Sequence, residues 1–230
     1  MRCSTHKFGG ASVRDAEAIR RVASLLGDQL GPDEKAVVVV SAMGKTTNAL
    51  EDVWRAEGAR RKELWDATVA THVAVAVELD VHLADPLQAR MASCWEEATQ
   101  AEASGDSIAA YDAFVAAGEL ASTTLVAGWL LKAGLPATWW DVRETLQTAG
   151  PHRAARVDEG TLNETGASLR RRLSERTGRH VVVTQGFIGR HSDGSTSTLG
   201  REGSDYSAAL LAVALPMNAQ ELPQPSPTST

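Results

Sequence analysis

The chain has 230 residues, of which 43% are hydrophobic, a net charge of −6 and two cysteines. Such a length holds one large domain or two small ones with a real core, and the acidic balance without a basic stripe excludes a nucleic-acid surface while leaving room for a local basic pocket. Cys3 and Cys94 make neither a metal spacing nor a disulfide framework, the start lacks the apolar core of a signal peptide, and the apolar runs read as too short for a bilayer, so a reduced cytoplasmic setting without a membrane is expected.

In chain order, "CSTHKF" (Cys3–Phe8) reads as a weak strand. "SVRDAEAIRRVASLL" reads as a helix, with Ser12 and Asp15 at capping-box spacing and Val13, Ala16, Ile19, Val22, Ala23 and Leu26 on one face. "AVVVVS" (Ala36–Ser41) is continuously apolar, as in a strand covered on both faces. Residues from about Asn48 to Ala117 look almost wholly helical, with breaks at Pro86 and Gly105. "GELASTTLVAGWLLKAGL" reads as a further helix that stops at Gly134. "ATWWDV" (Ala137–Val142) and "VVVTQ" (Val181–Gln185) are the later strands. Strands separated by helices imply an α/β sandwich, three-layered around a mainly parallel sheet. One domain over 1–215 is expected. The last fifteen residues, "PMNAQELPQPSPTST", hold four of the eight prolines and read as a disordered tail.

Three places share the order strand, glycine turn, helix start: "HKFGGAS", "VVSAMGKTTN" and "TLGREGSDYS". Ligands of open α/β sheets bind beyond the carboxyl ends of the strands, where helix starts present free N–H groups and favour phosphate. Each turn alone reads first as an ordinary βα connection; it is the combination that points to an anion pocket. "GKTT" at Gly44–Thr47 is not a P-loop, because the position that must be glycine is Val39. Lys7 stands near the end of the first strand, either as a phosphate ligand or as a surface lysine. Glu119 follows Gly118 at what reads as a helix entrance, either as a helix-start acid or as a receiver for an ammonium group. The six histidines show no ligand spacing, so no metal held directly by the protein is expected. Trp139 and Trp140 read as strand packing.

Taken together, "KFGGASV", "VVVVSAMGKTTNALE", "GELASTTLVAGWLLKAGL", "WDVRETLQT", "VVVTQGFIG" and "TSTLGREGSDYSAALLA" resemble aspartate kinase, in the amino-acid kinase family, from about Lys7 to Leu215. The resemblance implies that Lys7 binds phosphate and that Gly9 and Gly10 lie over the ATP phosphates. Ser41 and Thr47 would line the phosphate and substrate pocket. Glu119 would bind the amino group of L-aspartate and Arg201 a substrate carboxylate, through a two-pronged guanidinium contact. Glu202, Gly203 and Ser204 would complete the substrate turn, and Asp205 would organise the transfer site. The implied reaction is ATP plus L-aspartate giving 4-phospho-L-aspartate and ADP, with Mg²⁺ sharing the neutralisation of charge, as the first step towards lysine, threonine and methionine.

Two departures from the family pattern stand out. Many relatives carry glycine where this chain has Glu202. Family kinase domains also continue past the Asp205 helix into an adenosine-holding stretch and regulatory domains, so weak ATP binding and little turnover are expected of this chain alone, and association with copies of itself or a partner would cover an open sheet edge. Two further readings stand beside aspartate kinase: another amino-acid kinase, acting for example on glutamate or carbamate, and a remnant or regulatory fragment that keeps the pocket without turnover.

Overall fold

The computed structural model describes residues 2–215. The expected tail at 216–230 lies outside the described residues. The central sheet is parallel throughout, in the order β1 (Cys3–Phe8), β2 (Lys35–Val40), β6 (His180–Gln185), β3 (Ala137–Trp140). Every residue of β2 and β6 is buried, whereas the edge strand β1 is half-buried along its length. That is the burial expected of unbroken valine runs in the middle of a sheet with helices on both faces.

One helical layer is built on α1 (Ala16–Gln29) and α5 (Ser107–Lys132), backed by α2 (Thr46–Arg55), α3 (Gly58–Glu78) and α4 (Ala84–Ala103). The other layer holds α6 (Leu162–Ser174) and α7 (Gly203–Ala214), which packs on β1 and β2. The result is the three-layer α/β sandwich expected from the sequence, with a four-stranded parallel sheet at its centre.

The structure corrects four local expectations. The cap of α1 is Asp15, whose carboxylate accepts from Ala18 N at 2.7 Å; Ser12 sits before it in a short 3-10 turn over Gly10–Val13. The helical stretch after Asn48 also breaks at Ala56–Glu57, and α4 carries Pro86 in its first turn, where the lost N–H costs nothing. The helix ending near Gly134 begins eleven residues earlier than Gly118, at Ser107, and closes with paired bonds from Gly134 N to Leu131 O and from Leu135 N to Leu130 O. Its 26 residues include an apolar window long enough to cross a bilayer by length and composition, contrary to the sequence reading, but 83% of that window is buried in the protein. It is the core helix.

A second, smaller sheet was not anticipated. It runs β5 (Arg156–Val157), β4 (Gln147–Ala149), β7 (Ile188–His191), β8 (Thr196–Thr198), with antiparallel outer pairs around a parallel β4–β7 pair. The strands are two to four residues long, too short for periodicity to mark them. The "SDGS" turn between β7 and β8 was the available signal.

Candidate active site

The carboxyl ends of β1, β2 and β6 point to one edge, and the loops that leave them meet there. Ser41 N donates to Phe8 O and Gly44 N donates to Gly10 O, both at 3.0 Å, so the first two turns are bonded together. A side chain at Gly10 would come within 2.6 Å of Ala42 O, which is why that contact needs glycine. Gly186 N donates to Val40 O at 3.2 Å and joins the end of β6 to β2, while Phe187 N donates to Ser207 Oγ at 3.0 Å and ties that loop to α7.

These loops surround a cleft of about 350 Å³. Its lining contains Lys7, Gly10, Ser41, Thr47, Glu119, Arg201, Glu202, Gly203, Ser204 and Asp205, which is every sequence-assigned residue except Gly9. Gly9 stands just outside, with Lys7 Nζ within 3.6 Å of where its Cβ would be. Ala42, Gly44, Phe187 and Gly200 complete the wall and were not assigned from sequence. Lys45 is exposed and lines a neighbouring hollow of about 390 Å³ with His72.

Lys7 Nζ lies 3.0 Å from Asp205 Oδ1, so the end of β1 and the first turn of α7 present opposite charges at the cleft. Both side chains are reachable, Asp205 at 66% exposure and Lys7 at 26%. The pair is solvated enough that it is a weak structural link, one that an incoming ligand can reorganise.

Glu119 differs from expectation in position. It lies in the middle of α5, not at a helix entrance, so no helix dipole favours its charge. What brings it to the cleft is Gly118: a Cβ there would stand 3.0 Å from Ala42 Cβ and Thr46 Cγ2, so the missing side chain lets α5 press against the β2–α2 loop. Ser122 Oγ donates to Ser41 O at 2.9 Å and holds the same approach one turn on. Glu119 is 3% exposed and its Oε2 has no partner. Burial pushes its carboxyl up to about 8, against the opposing pulls of the Ala42 N–H and the nearby Lys7 charge. A buried acid with an unfilled oxygen, facing a cleft, is built to receive a hydrogen-bond donor.

Glu202 is the residue before α7 and sits in the left-handed region, φ 59° and ψ 17°. That backbone favours glycine, which supplies a structural reason for the glycine expected at this place. Its side chain is exposed at the cleft rim.

Trp139 and Trp140 pack as expected. Trp139 Nε1 donates to Thr123 Oγ1 at 2.9 Å with the Arg90 guanidinium 3.9 Å over its ring, and Trp140 Nε1 donates to Thr145 Oγ1 at 3.1 Å.

The sequence pattern of the amino acid kinase family matches residues 5–221. Lysine-sensitive aspartokinase 3 of Escherichia coli is 36% identical over 91% of this chain and 46% of its own length. An aspartokinase of Chlamydia trachomatis is 31% identical over 89% of this chain and 44% of its own length. Among solved structures, Escherichia coli aspartokinase III in complex with aspartate and ADP superposes with a TM-score of 0.78 at 33% identity, over 93% of this chain and 47% of that one. The same enzyme in complex with lysine and aspartate also gives 0.78, at 34% identity over 92% and 47%. The chain thus spans about half the length of the curated relatives it matches.

Proposed function

The chain belongs to the amino acid kinase family, and from that premise we propose that its cleft binds L-aspartate and the phosphates of ATP for transfer of the γ-phosphoryl group to the side-chain carboxylate, giving 4-phospho-L-aspartate and ADP. The observation that carries this reading is a buried acid with one unfilled oxygen, Glu119, sharing one cleft with the cations Lys7 and Arg201. An α-amino acid with a second carboxylate offers a matching set: one ammonium group and two anions.

In this reading Glu119 accepts the substrate ammonium, which restores the charge that burial suppresses. Arg201 takes a substrate carboxylate through its planar fork. Lys7 turns from Asp205 to the transferred phosphoryl group, and Gly9, Gly10, Ser41 and Thr47 let backbone and hydroxyl donors approach the phosphates. Gly203 and Ser204 open α7 at the anion-favouring end of its dipole. Mg²⁺ fits as a passenger of the nucleotide: Asp205 is an exposed carboxylate oxygen at the mouth of the cleft, suited to its hydration shell. When bound it would neutralise phosphate charge. The nucleophile is already a carboxylate, so alignment and charge compensation suffice and no strong base is required. The two cysteines are free thiols, and burial pushes the Cys94 thiol up to about 12, so it takes no part in the chemistry of the cleft.

The test is calorimetric titration of this chain with L-aspartate, beside a coupled ADP-release assay. Because the reading rests on Glu119 recharging, aspartate binding near pH 7 should release protons, seen as a heat that varies with the ionisation enthalpy of the buffer. L-Glutamate should bind less well. Tight binding of glutamate in place of aspartate would move the reading to another amino-acid kinase, and ADP release without any dependence on aspartate would refute it.

A further inference from the structure

The sequence offers no ligand spacing among its histidines, yet the small sheet brings two of them into contact. His152 lies in the β4–β5 loop and His191 ends β7; their ring centroids are 4.6 Å apart. Asp193 follows on the β7–β8 turn. The ligand atoms of His152, His191 and Asp193 all lie within 4.8 Å of one another.

Each ring is held by its other nitrogen, and both partners only accept. His152 Nδ1 lies 2.8 Å from Oδ2 of Asp112, a carboxylate with no exposure. His191 Nε2 lies 2.9 Å from Gly150 O. Those nitrogens must therefore carry the protons. In the neutral rings, the lone pairs are left on His152 Nε2, which is buried without a hydrogen-bond partner, and on His191 Nδ1, which faces the Asp193 carboxylate. The His152 side chain is nine-tenths buried. Asp193 Oδ2 stands 3.9 Å from His152 Nε2, while Oδ1 lies 3.0 Å from His191 Nδ1 and accepts from Ser195 N and Oγ. A histidine held through its other nitrogen by a carboxylate or carbonyl, beside a second such histidine and a carboxylate, is the arrangement found around metal-binding imidazoles.

We propose that His152 Nε2, His191 Nδ1 and the Asp193 carboxylate form a binding site for one divalent transition-metal ion of the zinc class. Two imidazoles and one carboxylate suit zinc, which takes nitrogen and oxygen ligands at about 2.0–2.2 Å, with water as the fourth ligand. Hard cations such as Mg²⁺ prefer all-oxygen sites and would compete poorly. Closing the ligands onto an ion requires a contraction of about 1 Å, shared between the Asp193 turn, whose side chain is 57% exposed, and the two rings. None of the three residues lines the cleft. The ion would pin the β7–β8 turn to the β4–β5 loop. Asp112 extends that tie to the strand leading into the substrate turn, accepting from Thr198 N at 3.0 Å and Thr198 Oγ1 at 2.6 Å.

The experiment uses the untagged 230-residue chain, stripped with a chelator and titrated with Zn²⁺ against a chromophoric competitor, and with Co²⁺ followed by its visible absorption. One ion per chain should bind, undisturbed by millimolar Mg²⁺, and zinc should raise the melting temperature by mass action. His191→Ala and Asp193→Asn should each weaken zinc binding by at least about tenfold and abolish the zinc-induced rise. Asp193→Asn keeps an oxygen to accept from Ser195 N, so the turn persists and this variant remains informative if the histidine variant folds poorly. His82→Ala, an exposed histidine elsewhere, should change nothing. Absence of stoichiometric zinc binding, binding unaltered in Asp193→Asn, or equal loss in His82→Ala would overturn the proposal.

Discussion

Helix α5 carries two buried acids two turns apart, and they meet opposite fates. Asp112 has no exposure and is saturated: Thr198 N and Oγ1, Arg153 N and His152 Nδ1 all lie within 3.2 Å of its oxygens. Glu119 is equally buried but leaves Oε2 empty beside the cleft. A carboxylate withdrawn from water is tolerated when donors replace the water, and otherwise gives up its charge. The first acid fastens the small sheet to the core helix. The second keeps its bonding capacity for a visitor.

The sharpest break of that comparison is Asp112→Ala. It should cost about 4 kcal/mol of stability, because the Thr198 N–H and hydroxyl are left buried and unpaired and His152 and Arg153 N lose their shared acceptor. Urea unfolding measures this. If Glu119→Gln destabilises the chain as much at neutral pH, both acids are structural and the contrast fails.

Next in size is Lys7→Ala, expected to lower turnover about 10²–10³-fold in a form of the chain that turns over, since it removes one charge from the phosphoryl-facing rim. Steady-state ADP release is the measurement, and a near-normal rate would leave Lys7 as no more than the partner of Asp205.

Glu119→Gln should then weaken aspartate binding about 10–100-fold, the worth of a hydrogen bond to a charged group, with little change in affinity for phosphate or pyrophosphate. The same variant tests the titration. The folded carboxyl sits at about 8 against an ordinary 4.5. Between those values the native chain holds a proton that the unfolded chain has lost, so wild-type stability falls as pH rises through this window. Melting scans should show Glu119→Gln gaining on wild type from pH 5 to pH 8. Parallel curves would mean that Glu119 is charged in the free protein.

The smallest effect concerns the rim. Glu202→Gly should stabilise the chain by up to about 1 kcal/mol: relief of a left-handed backbone at φ 59° outweighs the added freedom of glycine in the unfolded state. A loss of stability would show that the Glu202 side chain has contacts that matter more than its backbone.

The sequence by itself determined what is local. Valine runs placed β2 and β6 in the middle of a parallel sheet, because only a strand covered on both faces is apolar at every position. Glycine turns marked the loops of the cleft, because backbone approach and free N–H groups are properties of a few adjacent residues. Tertiary structure alone decided what depends on distant partners. Glu119 follows a glycine in either reading, but whether that glycine opens a helix or lets one helix touch a loop depends on what stands opposite, here Ala42 and Thr46. Asp112, His152 and His191 are far apart in the chain and share no period. They meet because strands of two to four residues, held by pairing rather than by their own propensity, fold back onto α5. Burial then sets their chemistry: the same carboxyl group becomes a filled staple at Asp112 and a raised, waiting acid at Glu119, according to how many donors the neighbouring chain supplies.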